Sequence, residues 1–242
     1  MKKILRGILT FFLILFLGGI PSLAVFRKNI SENVLGLYFK QEIIHEYLDS
    51  FQFSSKEEVK KSLEQDKQLT LITNHFGNQF LEDLLKEKES SLDIEELNRF
   101  FKESQNENFE IKEFKNQYLQ LLTFFQENLS TREMNLVHGF ILFTSKSFLI
   151  VEIVLFLLFL GILFALHTPF LLGINNLSIA FLLGSVLLGL ISQYLEIFCS
   201  YAVSFFHLEN TISLNGNYIL SFLYLGLGIL FWLLGKRILY QE

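Results

Sequence analysis

Cysteine is almost absent from this chain. Of 242 residues only Cys199 is one, so neither an internal disulfide framework nor a Cys-based zinc site can form. Set in an apolar block, it reads as a small packing residue. A basic surplus is missing too. The formal net charge is -5, and residues 26–146 hold 15 Lys/Arg against 21 Asp/Glu. That balance excludes nucleic acid as a partner, because its phosphates demand a basic surface. Strand-like alternation, internal repeats and low-complexity tracts are also lacking. The most informative gap is charge in the last hundred residues. Ser147 to Glu242 carry two basic residues, Lys236 and Arg237, and four acids, Glu152, Glu196, Glu209 and Glu242.

Three apolar blocks fill that space: Ser147–Leu166, Leu177–Ser200 and Tyr218–Gly235. Each approaches the ~20 residues a helix needs to cross ~30 Å of hydrocarbon, and no soluble core needs three such blocks in a row. The N-terminus adds another. Lys2, Lys3 and Arg6 precede an apolar run from Ile8, and Ser22-Leu23-Ala24 follows. This stretch reads either as a secretory signal cleaved after Ala24 or as a retained span, Ile8–Phe26; we expect the retained anchor. The expected fold is all-α, a four-span helical membrane protein. Residues 1–26 form the anchor (or signal peptide), 27–146 an extracytoplasmic helical domain, and 147–242 a three-helix transmembrane domain. Lys2, Lys3 and Arg6 at one end and Lys236 and Arg237 at the other place both termini in the cytoplasm.

Residues 27–146 read as helices throughout. Leu37, Ile44, Leu48 and Phe51 recur at helical spacing, and Leu69, Ile72, Phe76, Phe80 and Leu84 form one stripe. Leu97, Phe100 and Phe101 make another, and Ile111, Phe114, Tyr118, Leu121, Phe125 and Leu129 the cleanest. Ser55 with Glu58, Asp93 with Glu96 and Ser130 with Glu133 fit helix-capping pairs. The run from Glu82-Asp83 to Lys86-Glu87-Lys88-Glu89 reads as a solvated face, and His45 and His75 as ordinary surface or core residues. A helix starting near Thr131 is expected to run past Thr144-Ser145 into the second span. Its apolar Leu136–Phe143 segment either packs on the domain or lies in the membrane interface.

Four residues carry the candidate chemistry. Glu152 lies about five residues into the second span and Glu196 about four from the outer end of the third, roughly 6–8 Å deep at 1.5 Å per residue. Ser185, Gly189, Ser192, Glu196 and Ser200 form one small and polar face of the third span, the kind helices use to pack in lipid. In the fourth span, Ser221, Gly228 and Gly235 share a face. An intramembrane acid is a functional candidate by default. His138 precedes the second span and His207 follows the third. Two histidines converging on the outer interface could act as general base and acid near neutral pH. The substrate would then be a membrane lipid or a lipid-modified protein. No HExxH or comparable spacing is present, so neither metal nor other cofactor is expected.

The order of these parts resembles that of the bacterial lipoprotein intramolecular transacylase family. The similarity lies in four spans with a large external segment after the first, His138 shortly before the second span, Phe206-His207 just outside the third, and Asn215-Gly216-Asn217-Tyr218 after it. The family's acidic and then basic residues after the first histidine are here replaced by Gly139-Phe140-Ile141. The resemblance implies transfer of an O-linked acyl chain from a lipoprotein's diacylglyceryl group to its N-terminal amine, with His138 and His207 as acid/base residues. On the enzyme reading of the residues themselves, Glu196 and Glu152 join that pair from the outer leaflet. The competing expectation is a non-enzymatic membrane subunit whose residues 27–146 bind a protein partner. It predicts Glu196 satisfied within the helix packing and an exposed apolar patch on that domain.

Overall fold

The computed structural model describes residues 2–50, 55–86, 92–104, 111, 113–166, 171–208 and 214–239. The protein is all-α: among the described residues 93% are helical and no strand occurs. The helices are α1 (Lys2–Lys28), α2 (Leu37–Ser50), α3 (Lys56–Gln65), α4 (Lys67–Lys86), α5 (Glu95–Ser104), α6 (Glu113–Asn128), α7 (Thr131–Phe143), α8 (Lys146–Ala165), α9 (Leu171–Phe205) and α10 (Asn215–Leu239). A π-helical stretch, Asn29–Gly36, joins α1 to α2. Among the described residues four helices are long and apolar enough to cross a membrane: Lys2–Ser50, Ser147–Ala165, Gly173–Phe205 and Asn215–Lys236. They fit a multi-pass membrane protein. The chain divides into two compact units. One comprises Met1–Phe26, Phe143–Phe198 and Ser213–Glu242, the other Arg27–Leu142 and Cys199–Ile212.

In the first unit, α1 and α8 meet through Phe12–Phe159 and Phe16–Phe156, with ring centroids 5.5 and 6.4 Å apart. Leu13, Leu163 and Ala180 are fully buried beside them. Where α1 meets α9 the side chains give way to glycine. A Cβ on Gly18 would stand 2.8 Å from Leu187, and one on Gly184 would stand 2.8 Å from Leu17 Cβ. Rising numbers on α1 meet rising numbers on α9, so the two run parallel. The α9–α10 seam runs the other way. Ser178 Oγ donates to the Gly228 carbonyl and Ser221 Oγ to the Ser185 carbonyl, both at 2.8 Å. Small residues thus let the backbones approach, as helix association in lipid requires. The outward side of α8 stays apolar, with Ile150 62% and Leu157 59% exposed. A row of that kind suits hydrocarbon and not water.

The second unit is built on aromatics. Phe39, Phe76, Phe80, Phe114 and Tyr118 are all essentially inaccessible. Phe39 contacts Phe80, Phe114 and Tyr118 at centroid distances of 5.4–5.8 Å. Every residue of the expected α4 and α5 stripes is buried. In α2 the buried set is Phe39, Ile43, Ile44, Tyr47 and Leu48, while Leu37 is half-buried. Phe51 and the 87–89 part of the charged run lie outside the described residues.

The core also holds charges that the stripes did not announce. Lys40 Nζ donates to the carbonyls of Glu64 (2.6 Å) and Asp66 (3.2 Å) and to Thr70 Oγ1 (2.7 Å). Glu46 receives the N–H groups of Glu113 and Phe114, each at 2.9 Å, and so closes the N-terminus of α6. Asp83 was expected on a solvated face but is 2% exposed. Tyr118 donates its O–H to Asp83 Oδ2 at 2.9 Å, since a buried phenol needs a partner.

The capping expectations divide. Ser130 and Glu133 form the full reciprocal pair. Asp93 caps through the Glu95 N–H at 2.8 Å. Ser55 occupies an N-cap position, but its side chain makes no capping bond. The expected continuous helix into the second span is broken at Thr144-Ser145. Ser145 is extended (φ -64°, ψ 147°) and its hydroxyl accepts the Phe148 N–H, which starts α8 afresh.

Candidate functional site

The four residues singled out by sequence fall into two sets. Glu152 and Glu196 belong to the unit of spans, His138 and His207 to the aromatic-cored unit.

His138 sits on the face of α7 that also buries Met134 and Ile141. Its Nε2 lies 2.9 Å from the carbonyl oxygen of Leu84. A carbonyl only accepts, so Nε2 carries the hydrogen, and Nδ1 is the ring nitrogen that keeps the lone pair. Leu84 is in the last turn of α4, where carbonyls have no intrahelical donor.

His207 ends α9. It is the only non-glycine residue with positive φ (51°) among the described residues. Leu208 N–H donates to the Val203 carbonyl at 3.0 Å and His207 N–H to the Ser204 carbonyl at 3.2 Å. Those bonds make a Schellman cap with His207 at the left-handed position that glycine favours. Val203 and Leu208 close it as an apolar pair, both buried, and the His207 side chain is exposed.

Glu196 is joined to α10, where the Tyr218 O–H donates to Glu196 Oε2 at 2.9 Å. Below it, Ser185 and Ser192 are buried, Ser192 Oγ donates to its own Leu188 carbonyl at 2.6 Å, and Gly189 faces Ser221 Oγ. The small and polar face of the third span is therefore a packing seam against the fourth. Glu152 is half-buried on α8, and its Oε2 has no hydrogen-bond partner among the described residues.

Two residues named in the sequence only as part of the Asn215–Tyr218 segment belong to the site. Tyr218 is the partner of Glu196. Asn217, beside it, is fully buried with both Oδ1 and Nδ2 unpartnered among the described residues. The available signal was an Asn-Gly-Asn-Tyr run opening an apolar block. Among the described residues no group of three His, Cys, Asp or Glu side chains could hold a metal ion. His45 is exposed and pairs with Asp49 at 3.2 Å, and His75 is exposed on α4.

No family model matches this chain, and comparison with curated proteins and with solved structures found no match.

Proposed function

We propose that the protein works by binding: a multi-pass membrane protein that holds a helical domain at the membrane surface for a protein partner. The observation that carries this reading is the use made of the candidate catalytic groups. His138 holds a helix-terminal carbonyl and Glu196 holds Tyr218 across a helix seam, so both have structural work in separate units. The domain also keeps large apolar side chains outward, with Leu71 70%, Leu136 67% and Leu142 53% exposed. Leu136, Gly139 and Leu142 share one face of α7, which suits contact with another apolar surface.

The sidedness follows from charge. The parallel course of α1 and α9 and the antiparallel course of α10 bring Lys2, Lys3, Arg6 and Lys236 to one end of the span unit. By the positive-inside rule that end is cytoplasmic. Residues 27–146 then begin at the opposite, extracytoplasmic end of the first span.

A second reading has one specific observation in its favour. His207 is exposed in a left-handed conformation that costs a non-glycine residue energy, and such strain collects at functional sites. It would suit the acyl transfer implied by the lipoprotein transacylase resemblance.

The experiment that separates the two incubates the purified chain in lipid nanodiscs with a diacylated lipoprotein peptide. The same protein carries a photo-crosslinking residue at position 136 in cells. The binding reading expects no acyl transfer and a discrete protein adduct from position 136. Transfer that is lost in His138→Ala and His207→Ala overturns it.

A further inference from the structure

The cytoplasmic end of the span unit contains a second, unrelated feature. Lys3, Arg6, Gly7, Thr10, Phe11 and Ile14 of α1 face Asn176 and Ile179 of α9 across a cavity of about 450 Å³. Its lining combines two cations, Lys3 and Arg6, with the apolar Phe11, Ile14 and Ile179. Lys3 and Arg6 stand three apart, on one helix face. Neither takes part in an ion pair among the described residues; the pairs found there all lie in the other unit. The span unit can offer them little, because its described acids are Glu152 and Glu196. Glu152 is fourteen residues from the Leu166 carbonyl that Arg6 contacts, or roughly 21 Å along a helix. Glu196 pairs with Tyr218, near the opposite end of α10 from Lys236. Arg6 uses one terminal nitrogen on Leu166, and its Nε is buried without a partner among the described residues. Thr10 is 8% exposed and donates to the Arg6 carbonyl at 2.9 Å, which fixes the turn that carries the guanidinium.

We infer that this cavity binds the headgroup of an anionic phospholipid from the cytoplasmic leaflet. The phosphodiester would sit between Lys3 and Arg6, and an acyl chain would run along Phe11, Ile14 and Ile179. Two cations without a carboxylate, at the depth where a span begins, provide charge that lipid phosphate complements. The apolar part of the lining distinguishes a lipid from free phosphate, because inorganic phosphate gains nothing from it. A zwitterionic lipid would bring its own cation to a site that already holds two. The inference rests on membrane insertion of the spans and not on the binding-module reading. Neither the acyl-transfer assay nor the position 136 crosslink bears on it.

The test uses the full chain purified in detergent, titrated with dioleoylphosphatidylglycerol or dioleoylphosphatidylcholine and read by native mass spectrometry. At about fivefold for each cation, the glycerol lipid should bind roughly 30-fold more tightly. Lys3→Gln should cut that preference about fivefold. Gly7→Phe should abolish lipid retention while the protein stays folded, since a Cβ at Gly7 meets nothing within 4 Å and the ring would fill the cavity. A large excess of inorganic phosphate should leave the bound lipid in place. Equal binding of the two lipids, displacement by phosphate, or unchanged binding in both variants overturns the inference.

Discussion

His138 of α7 donates to the Leu84 carbonyl of α4 at 2.9 Å, so a histidine from one helix closes the C-terminus of another. Replacing it with alanine leaves a helix-end carbonyl without that donor. The expected cost is about 1–2 kcal/mol of stability. His138→Gln, whose amide can also donate, should keep most of it. Thermal unfolding of the two variants in the same nanodisc checks the order. A catalytic His138 would show the reverse pattern, with activity lost in both and stability barely changed.

His207 makes the opposite prediction. Its φ of 51° lies where an L side chain is disfavoured by roughly 1–2 kcal/mol and glycine is not. His207→Gly should therefore raise the melting temperature, while His207→Val, with a branched Cβ, should lower it. If glycine destabilises instead, the imidazole makes a contact that offsets the strain, and the second functional reading gains by that amount.

Sequence reading reached the helices because their signals are additive. Leu69, Ile72, Phe76, Phe80 and Leu84 each add one apolar vote to a single 3.6-residue face, and all five are buried. The spans were legible for the same reason, although α9 extends to Phe205, five residues past its apolar block. Pairings between distant residues were not legible. Nothing near Asp83 in sequence announces Tyr118, and Glu46 lies 67 residues from the helix end it caps. A carboxylate beside another polar residue, as Asp83 is beside Glu82 and Glu46 beside His45, looks solvated until the fold supplies its partner. His207 was singled out as an acid/base candidate, but its left-handed backbone depends on where α9 stops, and no composition window sets that residue.

Gly77 tests the close approach of the π-helical stretch to α4. A Cβ there would stand 1.9 Å from the Ser31 carbonyl oxygen and 3.1 Å from the Gly36 nitrogen. Both are backbone atoms, so no rotamer change relieves the clash and the helices must separate. Gly77→Ala should cost about 3 kcal/mol or more, at the upper end of overpacking penalties. Gly139→Ala is the control. Its Cβ would meet nothing within 4 Å, and alanine inside a helix gains up to about 1 kcal/mol over glycine. Chemical unfolding should show opposite signs for the two. Equal effects would mean that the π-helical stretch does not press on α4.

The start of α7 should respond to acid. Glu133 Oε2 accepts both the N–H and the hydroxyl of Ser130, at 2.9 and 2.6 Å. The hydroxyl bond, then the backbone bond, hold the carboxyl below its ordinary value of 4.5. A carboxyl depressed in the folded state binds fewer protons than in the unfolded state. Its contribution is therefore complete above pH 4.5 and fades as pH falls through the lower folded value. Amide exchange at Met134, whose N–H donates to the Ser130 carbonyl at 2.8 Å, reports on that first turn. Once the intrinsic pH dependence of exchange is removed, its protection should drop across that window. In Glu133→Gln the profile should be flat, with the lower protection already present at neutral pH. A wild-type profile as flat as that of the glutamine variant would show that the first turn is held by packing against Met134 and not by the Ser130–Glu133 pair.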